Sequence, residues 1–283
     1  MKHLFLTYSE DSSGISGHIY EVIDYYIKLK QFSPIILLLH QGVYSQLEKI
    51  IKYKYDLASS LYNDLISNIE YYSQRYINNF QNDIIISTNG KISSNKLWKC
   101  NTFVGFKCSS ITAFHNFIVA KQKFMLEDSR VYNNLQVEGL DLSNFDYQVV
   151  DYNKKIYYKY IKKPNSNLNK TLLYLTKSCK EYNNYTKYDN TIIVSDYLEG
   201  SNIYEPPIDD LFSKFDTYIY TPVSRKFDCS NRLVKECQYF NKKVILDIDY
   251  YDKALEARYN DSIDNTDLDK DDFIVNFIGD LLC

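Results

Sequence analysis

FDTYIYTPVSRKFDCSNRLVKECQYFNKKVIL, residues 215–246, reads as a strand, a polar loop, a helix and a second strand. Tyr218-Ile219-Tyr220 consists of the aromatic and β-branched types that favour strands. Thr221-Pro222 ends that strand, because proline has no N–H for a ladder and restricts the residue before it. Ser230 or Asn231 then caps a helix whose apolar positions Leu233, Val234, Cys237 and Phe240 recur at helical spacing. Lys242 and Lys243 follow at the negative end of the helix dipole, and Val244-Ile245-Leu246 begins another buried strand. A unit of this kind belongs to a parallel α/β sheet.

Its acids give the unit a chemical direction. Asp228 stands in the loop, and Glu236 follows eight positions later on the helix. At 3.6 residues per turn that separation is about 800°, so both carboxylates can face one crevice. Carboxylates accept hydrogen bonds strongly and suit vicinal hydroxyls such as those of a ribose or a hexose. The helix start at Ser230 offers backbone N–H groups to a phosphate. Arg225 and Arg232 are candidate phosphate contacts, although Arg232, four residues before Glu236, is also spaced to pair with that acid. The plainer alternative is a surface helix with two solvated acids.

In this register the stretch resembles the donor-site signature of retaining GT-B glycosyltransferases, two acids separated by seven residues followed by a run ending in Lys-Pro-Val-Ile. Here the run is Asp228-Cys-Ser-Asn-Arg-Leu-Val-Lys-Glu236, then Cys237-Gln-Tyr-Phe-Asn-Lys242-Lys-Val244-Ile245. The resemblance implies that Glu236 binds the ribose of a nucleoside-diphosphate sugar, such as a UDP-sugar, and that Asp228 touches the donor sugar. It implies transfer with retained configuration, no bound metal or other cofactor, and two Rossmann-like domains with parallel sheets facing a cleft. The departures are an aspartate as first acid, Cys229-Ser230-Asn231 where the family has a glycine-rich turn, and Asn241 where it has glycine before the lysine.

Length and composition agree with two domains. The chain has 283 residues, against roughly 150 per domain as a prior, and 45% are apolar, enough for two cores. A net charge of −3 supplies no broad basic field for nucleic acid. The 29 tyrosines, with abundant Asn, Ile and Lys, point to an AT-rich genome, and the resemblance extends to enzymes of large viruses and phages. The six cysteines have neither CxxC nor zinc spacing and read as buried thiols of a reducing compartment. Leu4-Phe5-Leu6 is too short for a signal peptide, and no run reaches the roughly 18 apolar residues of a membrane span. A cytoplasmic protein is expected.

The chain opens with a strand, His3–Tyr8, a loop bearing Gly14 and Gly17, and an amphipathic helix with Ile19, Val22, Ile23, Tyr26 and Ile27 on one face. Pro34–Leu39 is the second strand. The glycine loop is neither a dinucleotide fingerprint nor a P-loop, which disfavours a Rossmann oxidoreductase. By resemblance, Gly17 and His18 line the donor cleft; the alternative is a tight turn. Residues 43–80 read as helical, followed by strands at 83–87, 102–106 and 123–128. His115, which precedes the last of these, and Asp128, at its end, are candidates to orient an acceptor hydroxyl, against a core or helix histidine and a solvated acid.

Lys162–Asn169 is the best linker, dividing residues 1–163, the acceptor-side domain, from residues 164–283, the donor domain. The donor domain opens with the strand Thr171–Leu175, and Lys177 just beyond it holds the place of the family's diphosphate clamp. Phe273–Leu282 forms a helix that, by resemblance, packs back on the first domain. The expected activity is glycosyl transfer to a hydroxyl of a glycan, a small metabolite or a modified DNA base, with Asp228, Lys177 and His115 nearest the chemistry. The competing expectation is a non-catalytic protein that binds nucleotides or a partner on the same fold.

Overall fold

A computed structural model describes residues 2–9, 17–32, 34–74, 79–92, 97–106, 118–127, 146–152, 159–164, 170–175, 191–195, 212–220, 232–247 and 272–283. Among the described residues the fold is α/β with two sheets, one of seven strands and one of four, and every pairing within them is parallel. The chain divides into two compact units. The first holds Met1–Ile51, Leu57–Tyr157 and Asp269–Cys283, and the second holds Lys52–Asp56 and Tyr158–Leu268.

In the first unit, β1 (Leu4–Tyr8), β2 (Ile35–Leu39), β3 (Ile69–Tyr71), β4 (Asn79–Ser87), β5 (Trp98–Phe106), β6 (Ile118–Glu127) and β7 (Gln148–Asp151) lie in the order β3-β2-β1-β4-β5-β6-β7. This is the doubly wound Rossmann-like order, with one added edge strand, and it reverses direction between β1 and β4. Parallel neighbours require crossovers. Helix α1 (Gly17–Leu29) makes the first, burying Ile19, Val22, Ile23, Tyr26 and Ile27. Each such side chain contributes roughly 1.5–3 kcal/mol on burial. β1 is buried at every position, as a strand covered on both faces must be.

The expected long helical region over 43–80 resolves differently. Helix α2 (Gln41–Lys54) and helix α3 (Ser59–Ser67) are followed by β3 and a 3₁₀ turn over Tyr72–Gln74. β3 is only three residues long, too short for either periodicity to register, and it exists because Leu37–Leu39 of β2 offer it a ladder. β4 and β5 likewise begin four residues before their expected starts, at Asn79 and Trp98. Phe80 packs edge-on against Phe5 (4.6 Å between ring centroids) and stacks on Trp98 (5.5 Å), joining both strands to the core.

The closing helix, α5 (Phe273–Leu282), is a member of the first unit. It buries Ile274 and Ile278 fully, and its Phe273 and Phe277 rings meet Tyr152 and Phe124, both at 5.3 Å. Gly279 interrupts its apolar run because a Cβ there would stand 3.3 Å from the Phe32 ring. No helix among the described residues is long and apolar enough to cross a membrane.

In the second unit, β8 (Thr171–Leu175), β9 (Thr191–Ser195), β10 (Thr217–Tyr220) and β11 (Lys243–Leu246) lie in the order β11-β10-β8-β9, with the direction changing between β8 and β10. Helix α4 (Arg232–Tyr239) lies between β10 and β11, so the strand, the helix and the second strand expected within residues 215–246 form in that order, with β10 and β11 parallel. Val234 and Cys237 of α4 pack with Phe212, Phe215, Tyr218 and Leu172. The helix ends in a Schellman motif: Lys242 N–H donates to Cys237 C=O at 2.8 Å and Asn241 N–H to Gln238 C=O at 3.0 Å. Asn241 closes the motif at φ 56°, a conformation open to asparagine though easier for glycine.

That geometry predicts the response to substitution. Asn241→Ala should lower unfolding free energy by about 1 kcal/mol, whereas Asn241→Gly should hold or raise it. Urea melts of the two variants check this; equal losses would show that the left-handed residue is not what limits the turn.

Candidate functional site

The second unit places its acid helix at the carboxyl edge of a parallel sheet, where open α/β sheets bind ligands. α4 lies between the parallel strands β10 and β11, so its first turn stands at that edge. Glu236, two turns along the expected crevice, has only 2% of its side chain exposed. Lys54 Nζ sits astride the carboxylate, 2.6 Å from Oε1 and 2.7 Å from Oε2. Arg232 Nε donates to Oε1 at 2.6 Å, and Arg232 Nη2 meets the Tyr55 hydroxyl at 3.3 Å. Lys54 is itself 2% exposed and lies 5.7 Å from the centre of the Phe212 ring.

Lys54 reaches this place because the short segment Lys52–Asp56 is part of the second unit. Tyr55 and Ile161 form an antiparallel bridge, flanked by Asp56 N–H on Tyr160 C=O (2.7 Å) and Lys162 N–H on Lys54 C=O (2.9 Å). Lys162 Nζ also donates to Lys52 C=O at 2.8 Å. Burial pushes the Glu236 carboxyl up, but the Lys54 and Arg232 cations outweigh burial and hold it below the ordinary carboxylate value. Removing one partner of such a buried pair costs about 3–5 kcal/mol, because the other charge is left uncompensated.

A second polar group stands at the carboxyl edge of the seven-stranded sheet, at the β1/β4 switch. Asn89, in the turn after β4, exchanges hydrogen bonds with Ser9 Oγ (3.2 Å) and receives one from Ser87 Oγ (3.1 Å). His40 Nε2 lies 3.1 Å from the Ser9 carbonyl and therefore carries the proton there. Gly17 opens α1, and His18 beside it pairs through Nδ1 with Glu21 at 2.9 Å and stacks on Tyr8. A carboxylate on Nδ1 fixes ring orientation and tautomer.

Of the residues expected at a site, Glu236 and Arg232 are brought together in the second unit, and Gly17 and His18 in the first. Asp228, Lys177, His115, Ser230, Arg225 and Asp128 lie outside the described residues. The i,i+4 pairing of Arg232 with Glu236, one of the two alternatives open for that arginine, is present. Sequence reasoning missed Lys54 and Tyr55. Neither falls in a motif, the contact spans 182 positions, and Lys54 stands among other charged residues (Glu48, Lys49, Lys52 and Asp56), so no local signal sets it apart. Ser9, His40, Ser87 and Asn89 were also missed, because only the strand order brings them to one edge. Among the described residues, no group of three or more His, Cys, Asp or Glu side chains stands together as a metal site.

Comparison with known proteins adds no relative. No protein-family model, no curated protein and no solved structure matches this chain.

The buried pair makes a pH prediction with a definite sign. The folded-state pKa of Glu236 is lowered, so its stabilising contribution is complete above the unfolded carboxylate value of about 4.3 and is lost as pH falls through the folded value. Urea melts from about pH 7 down to about pH 2 should show wild type losing more stability on the acid limb than Glu236→Gln, itself the less stable protein at neutral pH. Parallel acid limbs would remove Glu236 from the linkage.

Proposed function

We propose that this chain is a glycosyltransferase that moves a sugar from a nucleoside-diphosphate donor to an acceptor hydroxyl. One observation carries the proposal: β10, α4 and β11, within residues 215–246, form a strand–helix–strand unit inside an all-parallel sheet, with α4 starting at the edge where that sheet changes direction. Ligands of open α/β sheets sit at such switches, and the second unit supplies a helix start and a cation, Arg232, there. The GT-B arrangement, two such units across a cleft, belongs to this proposal, as do retention of configuration and independence from a metal.

In this reading Lys177, Arg225, Ser230, Arg232 and the start of α4 offset charge on the departing diphosphate. Asp228 contacts the donor sugar, and Gly17, His18 and His115 border donor or acceptor. Glu236 meets the ribose by resemblance, but both of its oxygens are held by cations, so its first duty is to hold α4 in place. The acceptor class is a glycan, a metabolite or a modified DNA base. The saturation of Glu236 favours a second reading, a non-catalytic protein that keeps the fold to bind a nucleotide or a partner.

Thermal melts with a panel of nucleoside diphosphates and their sugars separate these outcomes. Donor binding should raise Tm by several degrees at a hundredfold excess over Kd, and Arg232→Ala should diminish the rise. A shift accompanied by release of the nucleoside diphosphate with an acceptor supports transfer, while a shift without turnover supports the second reading. No shift with any donor at millimolar concentration overturns both nucleotide readings.

A further inference from the structure

Lys54 and Tyr55 are neighbours in sequence, both 2% exposed, and both act on the first turn of α4 from a segment that precedes the rest of their unit by about a hundred residues. Their contacts are complementary. Lys54 spans both oxygens of Glu236; Glu236 Oε1 takes Nε of Arg232; Tyr55 meets Nη2 of the same guanidinium. A guanidinium is a rigid planar fork, so contacts at Nε and at one Nη fix its plane and leave it little freedom to turn. Arg232 is the outermost member, 14% exposed, while Glu236 behind it is 2% exposed.

We infer that Lys54 and Tyr55 are positioning residues for Arg232, and that Lys54 through Glu236 and Tyr55 directly orient its guanidinium toward the phosphate end of a nucleotide. The inference rests on the nucleotide-sugar reading above and deepens it. It changes the division of labour within that site: Glu236 acts as a buried anchor, Arg232 as the group that meets the diphosphate, and the 52–56 segment as the support that keeps both in register. An arginine already held in its bound orientation loses less freedom on meeting an anion than one that must be ordered by it. A bare Arg232 on an eight-residue helix would have to be ordered by the ligand itself.

The test is the advantage a diphosphate has over its parent nucleoside. Calorimetry measures Kd for UDP, GDP and ADP, each beside uridine, guanosine or adenosine, in the full chain. Tyr55→Phe removes one hydroxyl and leaves the buried pair intact; Lys54→Met removes the ammonium; Lys54→Arg keeps a cation there. For whichever nucleotide binds, Tyr55→Phe and Lys54→Met should shrink the diphosphate advantage by about tenfold, with nucleoside Kd unchanged, and Lys54→Arg should recover most of it. A support of merely structural kind would weaken diphosphate and nucleoside together. An unchanged advantage in folded Tyr55→Phe overturns the inference, and that variant decides alone if Lys54→Met does not fold. Tighter diphosphate binding by Lys54→Met overturns it as well, since Lys54 would then compete with the ligand. If wild type binds none of the six ligands, the nucleotide reading falls and this inference with it.

Discussion

A carboxylate almost wholly removed from water cannot stay ionised without cations of its own, and Glu236 has two. The arrangement of the second unit follows from meeting that demand. One cation comes from the same helix, a turn earlier; the other comes from Lys54, in the short segment 52–56. The antiparallel bridge at Tyr55 and Ile161 and the hydrogen bonds around it hold the segment where its lysine is needed. Arg232 and Lys54 are therefore constrained by the same acid, and a change at any of the three is felt by the other two.

The parallel sheets impose a different constraint. Every parallel neighbour must be reached by a crossover, so all strands of a sheet point their carboxyl ends to one edge, and the connections that leave those ends collect there. At the edge of the first sheet this gathers Ser9, Ser87, Asn89, His18 and His40 from residues spread over the first ninety positions. The polar character of that edge is a product of topology, since three of these side chains sit in runs that otherwise read as strand ends and turns. Phe5, Phe80 and Trp98, all buried, pack ring against ring and join β1, β4 and β5 in the core of the same sheet.

Much of the architecture was legible because it rests on local periodicity. The face of α1, the strand–loop–helix–strand unit of residues 215–246, β8 and α5 all announce themselves through apolar spacing over several residues. Asn241 was marked only as a departure from the resembling family, which has glycine before the lysine, and the structure shows that position to be the left-handed close of the helix. What stayed hidden is non-local. β3 is stabilised by β2 and not by its own three residues, and the order of the strands is written in no single segment. The acid at 236 could be found from its register, yet its burial could not, because the lysine that neutralises it lies 182 positions away.

The division of the chain has a consequence for how the protein is made. The first unit is completed by residues 269–283, and the second borrows residues 52–56 from within the first. During synthesis at roughly 5–20 residues per second, the seven-stranded sheet can assemble early but waits without α5 over Phe124 and Tyr152 while residues 158–268 emerge. Lys54 likewise waits for a partner that has not yet been translated. Neither unit can finish before most of the other exists, so the nascent chain carries Lys54 ahead of Glu236, and the apolar surface that α5 later covers, for many seconds. Apolar surface left open in an incomplete chain is what makes it prone to associate with other chains before it closes.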